Sequence, residues 1–267
     1  MQLDQKVVVI TGAGSGIGQA LAFVLARSGC RLVLVGRNLP ALEQTAIETG
    51  VRTVLPVAAD VTVAEDRQRL LRRVESEFGR IDVLVNKAGL LAVGPLGDLA
   101  EPAIAQMVST NLLAPILLVR AFLPLLQRSG PGARVVNVGS VFGDIAYPLF
   151  AAYSATKFGV RGFSDALRRE LAAEGIGVTY VAPRATKTAA MPAFAALIEP
   201  FAMTVDPAEA VALQIKRALE SESRSSYPRG LERLFVLIQR LVPGLVDRAV
   251  SRQLAAARPK TAVGSEA

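Results

Sequence analysis

The chain has 267 residues, 30 Lys or Arg against 23 Asp or Glu, no histidine and one cysteine, Cys30. That length suits one α/β domain with a sizeable core, and the lack of His and the single Cys exclude Ser/His triads, imidazole acid–base chemistry, an internal disulfide framework, His-ligated metals and a thiolate metal cluster. The net charge of +7 invites a nucleic-acid reading, but the arginines are spread along helices (Arg67, Arg69, Arg72, Arg73) with few aromatics, so no nucleic-acid partner is expected; a phosphate-bearing cofactor or an anionic membrane accounts for the charge as well.

The polar start, Met-Gln-Leu-Asp, carries no signal-peptide pattern, and no run of about 18 uncharged apolar residues is present. Both set the expectation of a cytoplasmic protein. The first strand, 6–10, runs into Thr11-Gly-Ala-Gly-Ser-Gly-Ile-Gly18, which opens a helix over 17–28. In that setting Gly12 permits the tight turn, Gly16 lets the backbone approach a pyrophosphate, and Gly18 allows close helix–strand packing. The helix start adds free N–H groups and a favourable dipole. Cys30, between helix and strand, reads as a small core residue. The second strand, 31–36, ends in Gly36 where an NAD site places a carboxylate, and Arg37 follows, able to pair with a 2′-phosphate. Helix 40–49, strand 53–58, helix 64–78, strand 81–85, helices 101–113 and 115–128, strand 133–139, helix 153–173, strand 176–182 and helix 207–220 continue the alternation. Such regular alternation of apolar strands and amphipathic helices predicts a doubly wound parallel sheet, helices on both faces, with the ligand crevice at the carboxyl ends of the strands. On the helix after 153, Tyr153 and Lys157 lie one turn apart on one face.

The T-G-x-x-x-G-x-G pattern, followed in order by Asp60-Val61, Asn86-Lys-Ala-Gly89, Asn111, Ser140, Tyr153 and Lys157, resembles the short-chain dehydrogenase/reductase family over about residues 4–220. The resemblance implies a Rossmann fold binding a nicotinamide dinucleotide. Gly12, Ser15, Gly16, Ile17, Gly18 and Arg37 would then hold the cofactor, with Asp60 and Val61 on the adenine side and Asn86 steadying the central strand beside it. Tyr153 would be the general acid/base, Lys157 would lower its pKa and bond the nicotinamide ribose, Ser140 would donate to the substrate carbonyl, and Asn111 would kink its helix and carry a proton relay. Pro183 and Thr188 match positions bordering the nicotinamide. The family also implies a dimer or tetramer through helices corresponding to 101–128 and 153–173. Tyr147, Tyr180 and Tyr227 lack a lysine four residues on and read as packing residues.

Two positions depart from the family pattern: Lys87 stands for the usual Asn, adding positive charge near the crevice, and Arg184 stands for the usual Gly after Pro183. For Arg184 two readings are open, contact with an acidic or phosphate-bearing substrate group and projection into solvent. The nearly uncharged segment 189–205 reads as a lid favouring an apolar substrate, or as a subunit contact. Beyond a domain spanning 1–230, residues 231–254 read as two amphipathic helices broken at Pro243-Gly244. Leu234, Phe235, Ile238, Leu241 and Val242 form one face, and arginines decorate the rest. That face would cover the core or a neighbouring subunit, or rest on a membrane surface. Residues 255–267 read as a disordered tail. The resulting expectation is an oxidoreductase that interconverts a lipophilic ketone or aldehyde and its alcohol, with NADP(H) preferred and NAD(H) second. The alternatives are an NAD-linked alcohol dehydrogenase and a nicotinamide-binding sensor or peripheral membrane scaffold.

Overall fold

The computed structural model describes residues 1–257. Six strands, β1 (Val7–Thr11), β2 (Arg31–Gly36), β3 (Val54–Ala58), β4 (Val83–Asn86), β5 (Arg134–Val138) and β6 (Gly177–Val181), pair in parallel in the order β3-β2-β1-β4-β5-β6. The strands are near-continuously apolar because both faces are covered. Along β1, Val8 and Ile10 join one apolar cluster and Val7 and Val9 the other; along β2, Leu32 and Leu34 part from Val33 and Val35 in the same way. This is the two-residue period of a strand dividing its side chains between two layers. One layer holds α1 (Gly16–Ala26), α2 (Leu39–Glu48) and α7 (Ala208–Glu220), through Leu21, Leu42 and Ile215. The other holds α3 (Ala64–Phe78), α5 (Ala114–Ser129) and α6 (Ala151–Glu170), through Leu70, Phe122 and Leu167. Cys30 is a buried core thiol pushed up to about 12 by burial.

Three features differ from the sequence expectation. The helices expected at 101–113 and 115–128 are one continuous element: α4 (Glu101–Val108) passes through a π turn, Ser109–Leu113, directly into α5. Pro115 suggests a break, yet it directly follows the π turn, where the regular i→i−4 ladder is already interrupted, and the helix continues through it. The joined helix, Glu101–Ser129, is long and apolar enough to cross a membrane, with an 18-residue window of mean hydropathy 1.6. Its apolar side, including Leu118, Phe122 and Leu126, is nevertheless buried against the sheet. A seventh strand, missed for want of any apolar run, completes the sheet: after the two-residue pair β7 (Thr186–Lys187) and β8 (Asp206–Pro207), β9 (Ser225–Ser226) pairs with β6. The tail forms α8 (Glu232–Leu241) and α9 (Pro243–Ala257), so residues 255–257 are helical rather than disordered, and 258–267 lie outside the described residues.

The strand order reverses between β1 and β4, and the crevice outside the carboxyl ends of these strands holds the candidate site.

Candidate active site

Two adjoining cavities occupy this crevice. The first, about 340 Å³, is floored by Gly12, Gly14 and Ser15 and walled by Arg37, Asp60, Val61 and Lys87. The Gly12 N–H donates to the Val35 carbonyl at 2.8 Å, so the turn folds back on β2. A Cβ on Gly18 would sit 2.1 Å from the Gly12 carbonyl oxygen, which leaves no room for any larger residue. Gly16 adopts φ +54°, and Thr188 leans over it from across the crevice, 2.9 Å from where a Cβ would be. Asn38 caps α2 by accepting the Ala41 N–H at 3.2 Å, which fixes the backbone next to exposed Arg37. The Asp60 carboxylate accepts from the N–H and hydroxyl of Thr62, at 2.9 and 2.6 Å, in a local turn at the cavity wall. Among the described residues no carboxylate pairs with Arg37 or Lys87.

The second cavity, about 360 Å³, is lined by Ile17, Ser140, Tyr153, Lys157, Pro183 and Thr188 on one side and by apolar and aromatic residues on the other. Lys87 lines both cavities, so it marks the joint between them. Ser140 closes β5 and is held from behind by Tyr180, whose buried hydroxyl donates to the Ser140 carbonyl at 2.9 Å. The Ser140 hydroxyl accepts the Phe142 N–H at 3.1 Å, leaving its own proton to donate. Lys157 is buried and its Nζ donates to the Val138 carbonyl at 3.2 Å, 5.6 Å from the centre of the Tyr153 ring.

The electrostatics differ from the expectation that Lys157 lowers the Tyr153 pKa. Burial pushes the Tyr153 phenol up to about 12, with only the Ser140 hydroxyl pulling the other way. Burial, assisted by repulsion from Lys87, pushes Lys157 down to about 8. Lys87 is likewise held below the usual lysine range by burial. The crevice therefore gathers two lysines that are costly to keep charged where they sit.

Among the expected site residues, Asn86 and Asn111 fall outside the cavity walls. Asn86 donates to the Asn137 carboxamide at 2.9 Å, and Asn137 donates to Ser164 at 2.9 Å, a chain of contacts inside the sheet and its α6 cover; the Asn86 Oδ1 has no partner. Asn111 sits in the π turn and grips the Leu90 backbone from both sides, accepting its N–H at 2.7 Å and donating to its carbonyl at 2.8 Å, with a further bond to Thr156 at 3.2 Å. It fixes the loop after β4 rather than facing the cavity. Arg184 does not project into solvent: it borders the second cavity and its guanidinium is bound by Asp206 and Glu232. Its φ is not positive, so no glycine-like backbone is needed there.

Sequence reasoning missed an aromatic wall. Tyr147 stacks on Phe142 at 4.9 Å and meets Phe201 edge-on at 5.6 Å, and all three line the second cavity. Tyr147 is thus a wall residue as well as a packing one. These residues are irregularly spaced on loops and carry no periodic signal. The expected apolar face of the tail is left uncovered: Leu234, Phe235, Leu241 and Val242 are exposed, while Val236 and Val250 are buried.

A profile of the short chain dehydrogenase family matches residues 6–196. The chain is similar to an uncharacterized oxidoreductase of Staphylococcus aureus (strain MW2), 33% identical over 192 residues that cover 72% of this chain and 83% of that protein. It is 36% identical over 188 residues to an uncharacterized oxidoreductase of Staphylococcus saprophyticus, covering 70% of this chain and 76% of the relative.

Proposed function

The chain belongs to the short-chain dehydrogenase family of oxidoreductases, and from that premise we propose that it interconverts a lipophilic ketone or aldehyde and its alcohol, using NADP(H) in preference to NAD(H). One observation carries the reading: Ser140, Tyr153 and Lys157 meet on one wall of an apolar cavity that adjoins, at Lys87, a second cavity built on the glycine turn and Arg37.

The donor set fits a nicotinamide dinucleotide bearing a 2′-phosphate. The glycine turn offers backbone where a Cβ at Gly18 would collide, and Arg37 and Lys87 are cations with no carboxylate partner among the described residues. Gly36 supplies no acidic group to favour a free ribose hydroxyl. Gly12, Ser15, Gly16, Ile17, Gly18, Arg37, Asp60 and Val61 would hold the adenosine and phosphate end, and Pro183 and Thr188 would border the nicotinamide. When bound, the dinucleotide supplies or accepts the hydride.

Tyr153 gives its hydroxyl proton to the developing alkoxide in reduction and takes it back in oxidation. The phenol, pushed up to about 12 by burial, carries its proton at neutral pH, the form that reduction requires. Ser140, its acceptor role filled by the Phe142 N–H, donates to the same oxygen. Lys157, steadied by the Val138 carbonyl, holds its ammonium group 5.6 Å from the centre of the Tyr153 ring and would bond the nicotinamide ribose. The phenylalanine and tyrosine wall excludes water and selects an apolar substrate.

The reading extends to partners. Exposed Val108, Leu113 and Phe158, on the α4–α5 helix and α6, suit a homo-oligomer. The exposed leucines of the tail, flanked by Arg233, Arg240 and Arg248, suit peripheral contact with an anionic membrane from the cytoplasm.

The test is Tyr153→Phe. NADPH-dependent reduction of a lipophilic ketone should fall by about a thousandfold, within the span that general acid catalysis contributes, while NADPH binding persists; turnover close to that of the native protein would overturn the assignment.

A further inference from the structure

Arg184 stands where the family pattern has glycine, and its environment shows what the substitution does. Nε donates to Asp206 Oδ2 at 2.9 Å and Nη2 to Asp206 Oδ1 at 2.8 Å, a two-pronged bond, while Nη1 donates to Glu232 Oε1 at 2.5 Å. The three side chains are about one-fifth exposed. Arg184 thus ties together three separate stretches of chain: the loop after β6, the far end of the 189–205 segment at β8, and the first turn of α8. The planar guanidinium is suited to this, since it can bond one carboxylate with two N–H groups and still offer a third elsewhere.

The helix it secures is part of the cavity. Glu232, Phe235 and Val236 line the space that also holds Ser140 and Tyr153. A second anchor holds the other end of α8. Buried Asp144 accepts from Tyr227 at 2.9 Å and from Arg240, in the last turn, at 3.4 Å, and pairs with Arg161. Arg233 lies over the Tyr227 ring at 5.8 Å. Arg184 binds one Glu232 oxygen, and α8 presents to the cavity Phe235 and Val236 beside the buried Glu232 Oε2, which has no partner among the described residues. The family match ends at residue 196, so Asp206 and the whole of α8 lie beyond it.

We propose that α8 is a specificity-determining wall of the substrate cavity and that Arg184 is the positioning residue that holds it there, so that Phe235 and Val236 limit the length of the apolar chain a substrate carries. The proposal rests on the reading of this cavity as the substrate site. Arg184 also borders the cavity, but its guanidinium is engaged by the two carboxylates, so it acts through Glu232. Loss of the clamp frees the wall and loosens contact with the distal end of the substrate, a change in KM that grows with substrate length. Trimming Phe235 deepens the cavity and moves the preferred length upward.

The experiment measures kcat and KM for a series of straight-chain 2-alkanones, from 2-pentanone to 2-dodecanone, with NADPH. For Phe235→Ala the optimum should move to longer ketones, with kcat/KM for the longest rising about fivefold or more. For Arg184→Gly, KM should rise about tenfold for the longest ketones and progressively less for shorter ones, and Arg184→Lys, which keeps the charge, should recover part of the loss. NADPH binding by each variant verifies that it is folded. Amide hydrogen exchange across 232–241, with and without 2-nonanone, reads the wall without turnover: exchange should slow on binding, and should be faster in Arg184→Gly than in the native chain. Ketone reduction with a length profile unmoved by either folded variant, and α8 unprotected, would overturn the proposal and leave the functional reading standing. Protection of α8 without reduction of any ketone would sustain the proposal's wall and overturn the reading of the reaction. Neither protection nor reduction would overturn both.

Discussion

The two halves of the crevice are built from different materials. The half around the glycine turn is mostly backbone: Gly12 folds onto Val35, Gly18 abuts the Gly12 carbonyl, and the charged side chains, Arg37, Asp60 and Lys87, stand at the walls. The half around Tyr153 is mostly side chain, with aromatics from the loops after β5 and the 189–205 segment, α8 closing one side, and two groups, half-buried Tyr153 and buried Lys157, whose pKa values are displaced by desolvation. A site made of backbone recognises what is common to every dinucleotide and tolerates no added atom. A site made of side chains can be retuned residue by residue, but it bears the electrostatic cost of burying reactive groups.

The sharpest way to break this contrast is to add one methyl on the backbone side. Gly18→Ala puts a Cβ 2.1 Å from the Gly12 oxygen. Since that neighbour is backbone, the turn must move, and a loss of about 3 kcal/mol in stability is expected together with loss of NADPH binding, read by thermal melts with and without NADPH. An unchanged melt that still rises with NADPH would show that the turn is more pliable than this close contact allows.

On the side-chain side the corresponding effect is electrostatic and depends on pH. Lys157 has its pKa pushed down to about 8 from 10.5. Below about 8 the folded protein carries the full cost of a buried ammonium, about 3 kcal/mol. Between about 8 and 10.5 the unfolded chain holds a proton that the folded chain has released, so this contribution makes stability rise with pH. Lys157→Met should therefore be most stabilising, relative to the native chain, at pH 7, with the advantage shrinking towards pH 10 in denaturant titrations. A stability difference flat across that range would mean the ammonium is not buried at a cost.

Two smaller changes sharpen the comparison. Arg37→Asp removes the only arginine lining the phosphate-side cavity. It should cut the NADPH-over-NADH binding preference by about 10- to 100-fold, the worth of a charge-assisted bond, in fluorescence titration; an unaltered ratio would place the discrimination elsewhere. Tyr180→Phe removes the hydroxyl that donates to the Ser140 carbonyl and should cost about 1 kcal/mol of stability, with a larger proportional loss in kcat than in NADPH affinity. Loss of NADPH affinity instead would show that the two halves are not independent.

What was legible in the sequence follows the same division. The strand–turn–helix of residues 7–26 could be read because each glycine answers a local requirement, and the Tyr153–Lys157 pair because helical spacing alone puts them on one face. The parallel sheet followed from strand hydrophobicity, except β9, whose two serines are recruited by the edge of β6 rather than by any pattern of their own. Asn111 was expected to kink its helix, but the continuity of the helix through the π turn was hidden by Pro115, which in sequence looks like a boundary; the grip of Asn111 on Leu90 that accompanies the turn is a tertiary contact. Arg184 stood out only as a departure, because its partners lie 22 and 48 residues away and nothing local announces a clamp. The direction of the Tyr153 shift was misread for a related reason: the spacing to Lys157 is visible in sequence, but the extent of burial is not, and burial dominates.

The central claim is that the two cavities are the two ends of one NADP(H) site. Its most direct test is titration of the purified protein with NADPH and with NADH, following binding itself. The account predicts NADPH binding at least about tenfold tighter, the worth of one good charged contact to the 2′-phosphate. Equal affinities, or tighter binding of NADH, would contradict the role given to Arg37, and binding of neither would contradict the claim as a whole.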